Sequence, residues 1–165
     1  MANRMTPNFI PPIGHQLGLI IAGGISTALL GGAFLFQYVG GLEPCSLCIW
    51  QRWPHLAVIV AAFIGLRGVM PRGMLWLAFI AGSISVCLGS YHAGIEYGFW
   101  RGPAGCTANL VSDGNIKALT QQLLSTPLVR CDEAPWSLFG LSMAGWNAII
   151  SLDIVAAALI SLRRG

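Results

Sequence analysis

Apolar residues in this chain come in four long runs, and most polar residues are confined to the gaps between them. From Met5 to Leu42 there is no charged side chain, and the stretch 15–38 is apolar and rich in small residues. Roughly 20 such residues cross the hydrocarbon of a bilayer as a helix, so a first span is predicted at 15–38. The run is too long for a cleavable signal peptide, and no clean small-residue cleavage site follows it. The second run, Trp53 to Leu66, has only 14 residues. Its helix is therefore expected to start near 47, which puts Arg52 in the opening turns. Pro54 then falls inside the helix and should kink it, since it has no N–H for the carbonyl of Trp50. The third span is predicted at 73–92 and the fourth at 144–162, where Arg163 and Arg164 stop it. The expected fold is an all-α membrane protein, a four-transmembrane-helix bundle forming a single domain over 1–165.

Composition supports this and narrows the function. Hydrophobic residues make up 55% of the chain, charged residues 9%, and the mean hydropathy is +0.70. A soluble domain carries about 25% charge, so a water-soluble enzyme and a disordered binder are both excluded. The net charge of +3 comes without a basic run, which argues against a nucleic-acid partner. The few charges also orient the chain. Arg4, Arg67, Arg72, Arg163 and Arg164 flank the spans where no acid accompanies them. The positive-inside rule then makes both termini cytoplasmic and places loops 40–50 and 93–143 on the outer, periplasmic side. Within the long second loop Ile116, Leu119, Leu123 and Leu124 recur at helical spacing behind a capping Ser112 or Asp113. They predict a short helix, either lying on the membrane interface or facing solvent.

Four of the five cysteines fall on that outer side: Cys45, Cys48, Cys106 and Cys131. Cys45 and Cys48 form a C-x-x-C, a spacing that brings two sulfurs within bonding reach across one turn. Cys106 and Cys131 stand 25 positions apart and are able to close the loop between them. An even number of thiols in an oxidising compartment argues for two disulfides. These need be no more than staples, but the setting of Cys48 points further. At the start of the second span its sulfur meets the positive end of the helix, which favours a thiolate. Arg52 follows four residues later on the same face, one turn deeper. A zinc site built from the four thiolates is disfavoured, because only one pair is close in sequence.

Together these residues resemble the disulfide bond formation protein B (DsbB) family, the quinone-coupled inner-membrane oxidases that re-oxidise the periplasmic thiol oxidant DsbA. The resemblance covers nearly the whole chain and rests on C-S-L-C-I-W-Q-R at 45–52, Y-H-A-G-I-E at 91–96, the lone Cys106, and C-D-E-A-P-W-S-L-F-G from Cys131. It implies a location in the bacterial inner membrane, a DsbA-type partner, and ubiquinone or menaquinone as electron acceptor. It also implies a relay. Cys106 takes the mixed disulfide with the partner, Cys131 exchanges with the Cys45–Cys48 pair at Cys45, and Cys48 is left as the thiolate facing the quinone. Arg52 helps hold the quinone, and His92, at the outer end of the third span, is able to donate to a quinone carbonyl.

Other residues and readings compete. Cys87, inside the third span, is expected to face hydrocarbon or a neighbouring helix and reads as a buried free thiol acting as a small hydrophobe. Asp153, in the middle of the fourth, is expected to find Ser83 or Ser85 across the bundle. A vitamin K epoxide reductase-like protein also joins thiols to quinones, but there the C-x-x-C follows the loop cysteines instead of preceding them. A b-type cytochrome would use His55 and His92 as haem ligands and leave the cysteines idle. A membrane scaffold with structural disulfides would differ in that its cysteines never turn over.

Overall fold

The computed structural model describes residues 13–103 and 130–164. Four helices account for most of them: α1 (Ile13–Tyr38), α2 (Ser46–Leu66), α3 (Pro71–Glu96) and α4 (Met143–Arg164). Each is long and apolar enough to cross a membrane. At about 1.5 Å per residue they reach roughly 30–39 Å. α3 runs a turn beyond the 73–92 expected for it. Pro54 is accommodated inside α2, which continues to Leu66. The segment expected to form the short helix at 112–124 lies outside the described residues, as does Cys106.

The helices pack in a ring in which α1 contacts α2 and α4, and α3 contacts the same two from the other side. Tight turns link them where the sequence supplies the right residues. Met70 adopts a left-handed conformation (φ 43°) and Pro71 then opens α3, where a missing N–H does no harm. Just before α4, a two-stranded antiparallel hairpin pairs Ser137 with Ser142 and Leu138 with Leu141. Its turn, Phe139-Gly140, has positive φ at both residues, as the twist of a tight hairpin requires.

The bundle interior is small and mostly apolar: Leu19, Ala22, Val58, Ala62, Leu75, Ala78, Ile154 and Ala158 form its core. Larger apolar side chains such as Leu35, Phe63, Ile80 and Ile160 point outward. This inversion of the usual pattern suits a hydrocarbon surround. In such a medium helices associate through close approach of small residues. A side chain at Gly18 would meet Ser161 on α4, and one at Gly89 would come 3.0 Å from the backbone of Ala144 and Ala148.

Cys87 lies on the outer surface of α3, the hydrocarbon-facing one of the two settings expected for it, because Ser85 and Gly89 take the inward positions of that turn. Asp153 is exposed as well. It lies about 200° around α4 from the inward-facing Ser151, and Ser85 is instead bonded to His55, Asn147 and Ser151.

Gly89→Leu is expected to destabilise the bundle by at least about 1–3 kcal/mol through overpacking. Gly24→Leu, where nothing lies within 4 Å, should leave the thermal midpoint in detergent unchanged. Thermal unfolding of the two variants compares them directly.

Candidate active site

Helix α2 begins at the C-x-x-C motif, and its N-cap is Cys45. Cys45 is extended (φ −70°, ψ 169°), and its sulfur accepts the backbone N–H of Cys48 at 3.2 Å. This is the bond a serine or aspartate oxygen makes at an ordinary helix start. The Cys48 sulfur lies 2.8 Å away. The two sulfurs form a hydrogen-bonded dithiol here, one state of a pair able to close as a disulfide.

Two further groups converge on Cys45. The ring nitrogen Nε2 of His92, from α3, lies 3.6 Å from its sulfur. Cys131 is fully buried and disulfide-bonded, and its sulfur, that of Cys45 and a His92 nitrogen all lie within 4.8 Å of one another. Three such donors are close enough to share a metal ion, but a disulfide sulfur offers no thiolate to one. Ile95 and Leu47 enclose the sulfurs.

The Cys45 thiol is held well below its ordinary range, chiefly by the hydrogen bond from the Cys48 side chain and also by His92, against the opposing effect of burial. Cys45 is thus the sulfur on which the Cys48 backbone N–H and the His92 ring converge. The field of a helix start acts most directly on its cap, and the cap is Cys45.

On the other side of the dithiol a cavity of about 230 Å³ opens between α1, α2 and α4. Ala28, Gly32, Ala33 and Phe36 of α1 line it, with Trp136 and Trp146 opposite. Its polar end holds Cys48, Gln51, Arg52, His55, His92 and Glu96. Arg52 lies 4.9 Å above the Phe34 ring, and its Nη1 donates to Gln37 Oε1 at 2.7 Å. Arg52 Nε and Glu96 Oε2 are buried without a hydrogen-bond partner among the described residues. An apolar slot with polar side chains at one end suits a flat molecule carrying carbonyl oxygens.

A second cleft leads to the sulfurs from the loop side, lined by Glu43, Cys45, Cys48, His92, Arg130 and Glu133. Arg130 grips Asp132 with two bonds of 2.9 and 2.6 Å and lies 3.3 Å from Glu133. The guanidinium keeps the Asp132 carboxyl below the usual carboxylate range.

Five of the six residues singled out in the sequence thus come together, and Cys106 lies outside the described residues. Sequence reasoning missed Gln51, Asn147 and Glu96. Each is a polar side chain within or at the end of an apolar span, which is itself a mark of function. The haem reading gains nothing, since both nitrogens of His55 and of His92 are engaged by protein side chains.

The fold and the site define a membrane-embedded dithiol protein, with a disulfide next to a C-x-x-C at the end of a four-helix bundle. The chain belongs to the DsbB family: the model of the disulfide bond formation protein DsbB matches residues 15–161. It is 32% identical over 147 residues to a disulfide bond formation protein B of Haemophilus influenzae (strain 86-028NP), covering 82% of this chain and 79% of the relative. A disulfide bond formation protein B of Methylococcus capsulatus is 30% identical over 153 residues, covering 81% and 85%. An uncharacterized protein of Rickettsia prowazekii is 27% identical over 161 residues, covering 94% and 92%. No solved structure matches the chain. Disulfide bond formation by a multi-pass bacterial membrane oxidoreductase is accordingly its function at this level.

His92→Phe removes an N–H donor from the Cys45 thiolate, so the thiol should hold its proton to higher pH. Below the wild-type midpoint, alkylation of Cys45 by iodoacetamide should therefore slow. An unchanged alkylation–pH profile would show that His92 contributes nothing to the charge on Cys45.

Proposed function

We propose that this protein re-oxidises a periplasmic DsbA-type dithiol and passes the electrons to a membrane quinone. One observation carries the reading: the low-pKa Cys45 sulfur within 4.8 Å of the disulfide-bonded Cys131. Behind it, Cys48 and Arg52 line an apolar cavity.

The partner's thiolate attacks the Cys106–Cys131 disulfide at Cys106, giving a mixed disulfide and a Cys131 thiolate. The partner's second thiol displaces Cys106 and leaves as a disulfide. Cys131 attacks Cys45 of an oxidised Cys45–Cys48 pair, and Cys48 departs as thiolate. Cys106 then displaces Cys45, restoring the outer disulfide and leaving an inner dithiol. Every exchange conserves electrons, and the two from the partner now rest on Cys45 and Cys48. The coexistence of a bonded Cys131 with free Cys45 and Cys48 corresponds to that stage.

A bound quinone supplies an acceptor for two electrons and two protons. The residues present fit such a group. Arg52 and Gln51 stand at the polar end of the cavity, suited to a carbonyl oxygen, and Phe36, Trp136 and Trp146 offer flat apolar faces. With Cys45 as thiolate, closing the inner pair releases the proton of Cys48, and Glu96 and His92 are the titratable groups beside it that are able to take it up. Positive charge at Arg4, Arg67, Arg72, Arg163 and Arg164 supports cytoplasmic termini. The sulfurs then face the periplasm of a bacterial inner membrane.

Reduced DsbA-type protein mixed with this protein and a soluble quinone should be oxidised catalytically. Cys→Ser changes at 45, 48, 106 and 131 should each abolish turnover, and Cys131→Ser should accumulate the mixed disulfide. Retained turnover in all four variants would sink the reading. Arg52→Ala should raise the apparent KM for quinone about tenfold or more, as for the loss of a charge-assisted hydrogen bond, while thiol exchange with the partner continues. Unchanged quinone kinetics would make Arg52 structural.

A further inference from the structure

Both described segments that border residues 104–129 fold back along the bundle instead of rising away from it. After α3 the chain turns at Gly98 (φ 75°), and Trp100 Nε1 donates to the Tyr91 carbonyl at 2.8 Å. The Trp100 ring stacks on that of Tyr91 at 6.0 Å, and a side chain at Gly94 would meet it. Tyr91 lies more than a turn below the end of α3 at Glu96, so Trp100 is drawn down to the depth of a spanning residue. The hairpin before α4 does the same. Trp146, in the first turn of α4, donates Nε1–H to the Leu138 carbonyl at 3.2 Å. Tyr97 Oη donates to the Gly140 carbonyl at 2.9 Å and accepts the Ser142 N–H at 3.1 Å. One tyrosine thereby joins the two folded-back segments.

Together they present an exposed apolar surface. The Tyr97 and Phe99 rings lie 6.3 Å apart and those of Phe99 and Trp100 6.2 Å, while Leu138 and Phe139 adjoin Tyr97 through its bond to Gly140. Phe99 is 74% exposed and Phe139 91%. Phe139 also stands in the left-handed region (φ 53°), where a tight hairpin ordinarily places Asn or Gly. A ring so exposed gains little from the chain itself to offset that conformation.

Charge marks the edges of this surface. No charged residue occurs between Glu133 and Asp153, although α4 begins only at Met143. The apolar run therefore takes in the whole hairpin, which lacks the charges that usually protect an edge strand in water. Arg101 follows directly after Trp100, Arg130 and Glu133 lie just before the hairpin segment, and all three are exposed. Glu96, the one acid near the aromatic cluster, turns inward with its side chain only 2% exposed.

We propose that segment 97–100 and hairpin 137–142 form one anchor that docks on the bilayer, with Phe99 and Phe139 inserted at the boundary between headgroups and acyl chains. The surface is continuous with the lipid-facing sides of α3 and α4, where Ile84 and Ile149 are exposed. Tyr97, Trp100 and Trp146 spend their polar atoms on the backbone and leave ring faces for an apolar medium, the disposition of aromatic residues at a membrane interface. A soluble protein would approach from above the bundle, whereas the bonds to Tyr91 and Trp146 hold this surface at its flank. The anchor fixes the height at which the chain leaves α3 and that at which the hairpin following Cys131 enters α4. It stands apart from the relay, and neither quinone nor thiol partner enters its test.

The full-length protein, one copy per nanodisc of phosphatidylethanolamine and phosphatidylglycerol, serves for both measurements. Hydroxyl-radical footprinting of the unmodified chain reads the exposure of each ring. Phe99 and Phe139 should be oxidised about tenfold or more slowly than in the same peptides after digestion, the occupancy expected when an aromatic side chain leaves water. Oxidation at the rate of the free peptides would overturn the proposal, and this arm involves no variant that could fail to fold. The second arm identifies what covers the rings. Phe139→p-benzoyl-phenylalanine and Phe99→p-benzoyl-phenylalanine, irradiated in the nanodisc, should each gain the mass of one phospholipid on the substituted peptide. Glu133→p-benzoyl-phenylalanine, beyond the charged edge, should gain none. Adducts confined to the chain itself, or lipid adducts as frequent at 133 as at 139, would overturn the anchor. So would a cross-link from 139 to a second copy in detergent or to an added thiol oxidant in preference to lipid, since the surface would then be a protein interface.

Discussion

Cys45 Sγ occupies the place that an oxygen occupies at most helix starts, taking the N–H of Cys48 and so closing the first turn of α2. The rest of the site depends on that bond. It brings the partially positive helix end onto a sulfur already buried among Leu47, Ile95 and Cys131. A charge in such surroundings is costly unless donors surround it. The Cys48 thiol, the Cys48 backbone and the His92 ring provide them. The sulfur that receives them is both the most stabilised as an anion and the one beside the Cys131 disulfide.

The same constraint shapes the bundle beneath. No water reaches the interior of a spanning bundle to repair a missing bond, so each polar side chain there must find its partner on a neighbouring helix. Gln51, His55, Ser85, Asn147 and Ser151 do so. Close packing makes this possible. Glycine and alanine at the α3–α4 contact bring the backbones near enough for Asn147 to reach across to α2. Packing and hydrogen bonding are therefore interdependent here: a bulkier residue at Gly89 would strain a contact and also move the amide that faces Gln51.

The family and the membrane architecture were legible in the sequence because both rest on one-dimensional properties. A span is a length of apolar residues, and the C-x-x-C with Arg52 one turn on is a spacing. Assignments that depended on rotation about a helix axis fared worse. Asp153 is expected to meet a serine across the bundle, whereas it lies on the exposed surface. Its own turn contains a better candidate for the inward face, Ser151. Which residue caps a helix likewise depends on where the backbone leaves the extended region, and that makes Cys45, three residues before Cys48, the sulfur that takes the first-turn N–H.

The sequence by itself determined four spanning helices, an orienting pattern of arginines, and a dithiol at a helix start, because hydrophobicity, charge and local spacing act along the chain. The tertiary structure alone decided that Cys131 and His92 stand beside the Cys45 sulfur. It also decided that amides from α2 and α4 line up behind the His92 ring. Those outcomes arise from contacts among residues 41 to 96 positions apart, whose relative rotation and depth are set only when the helices pack.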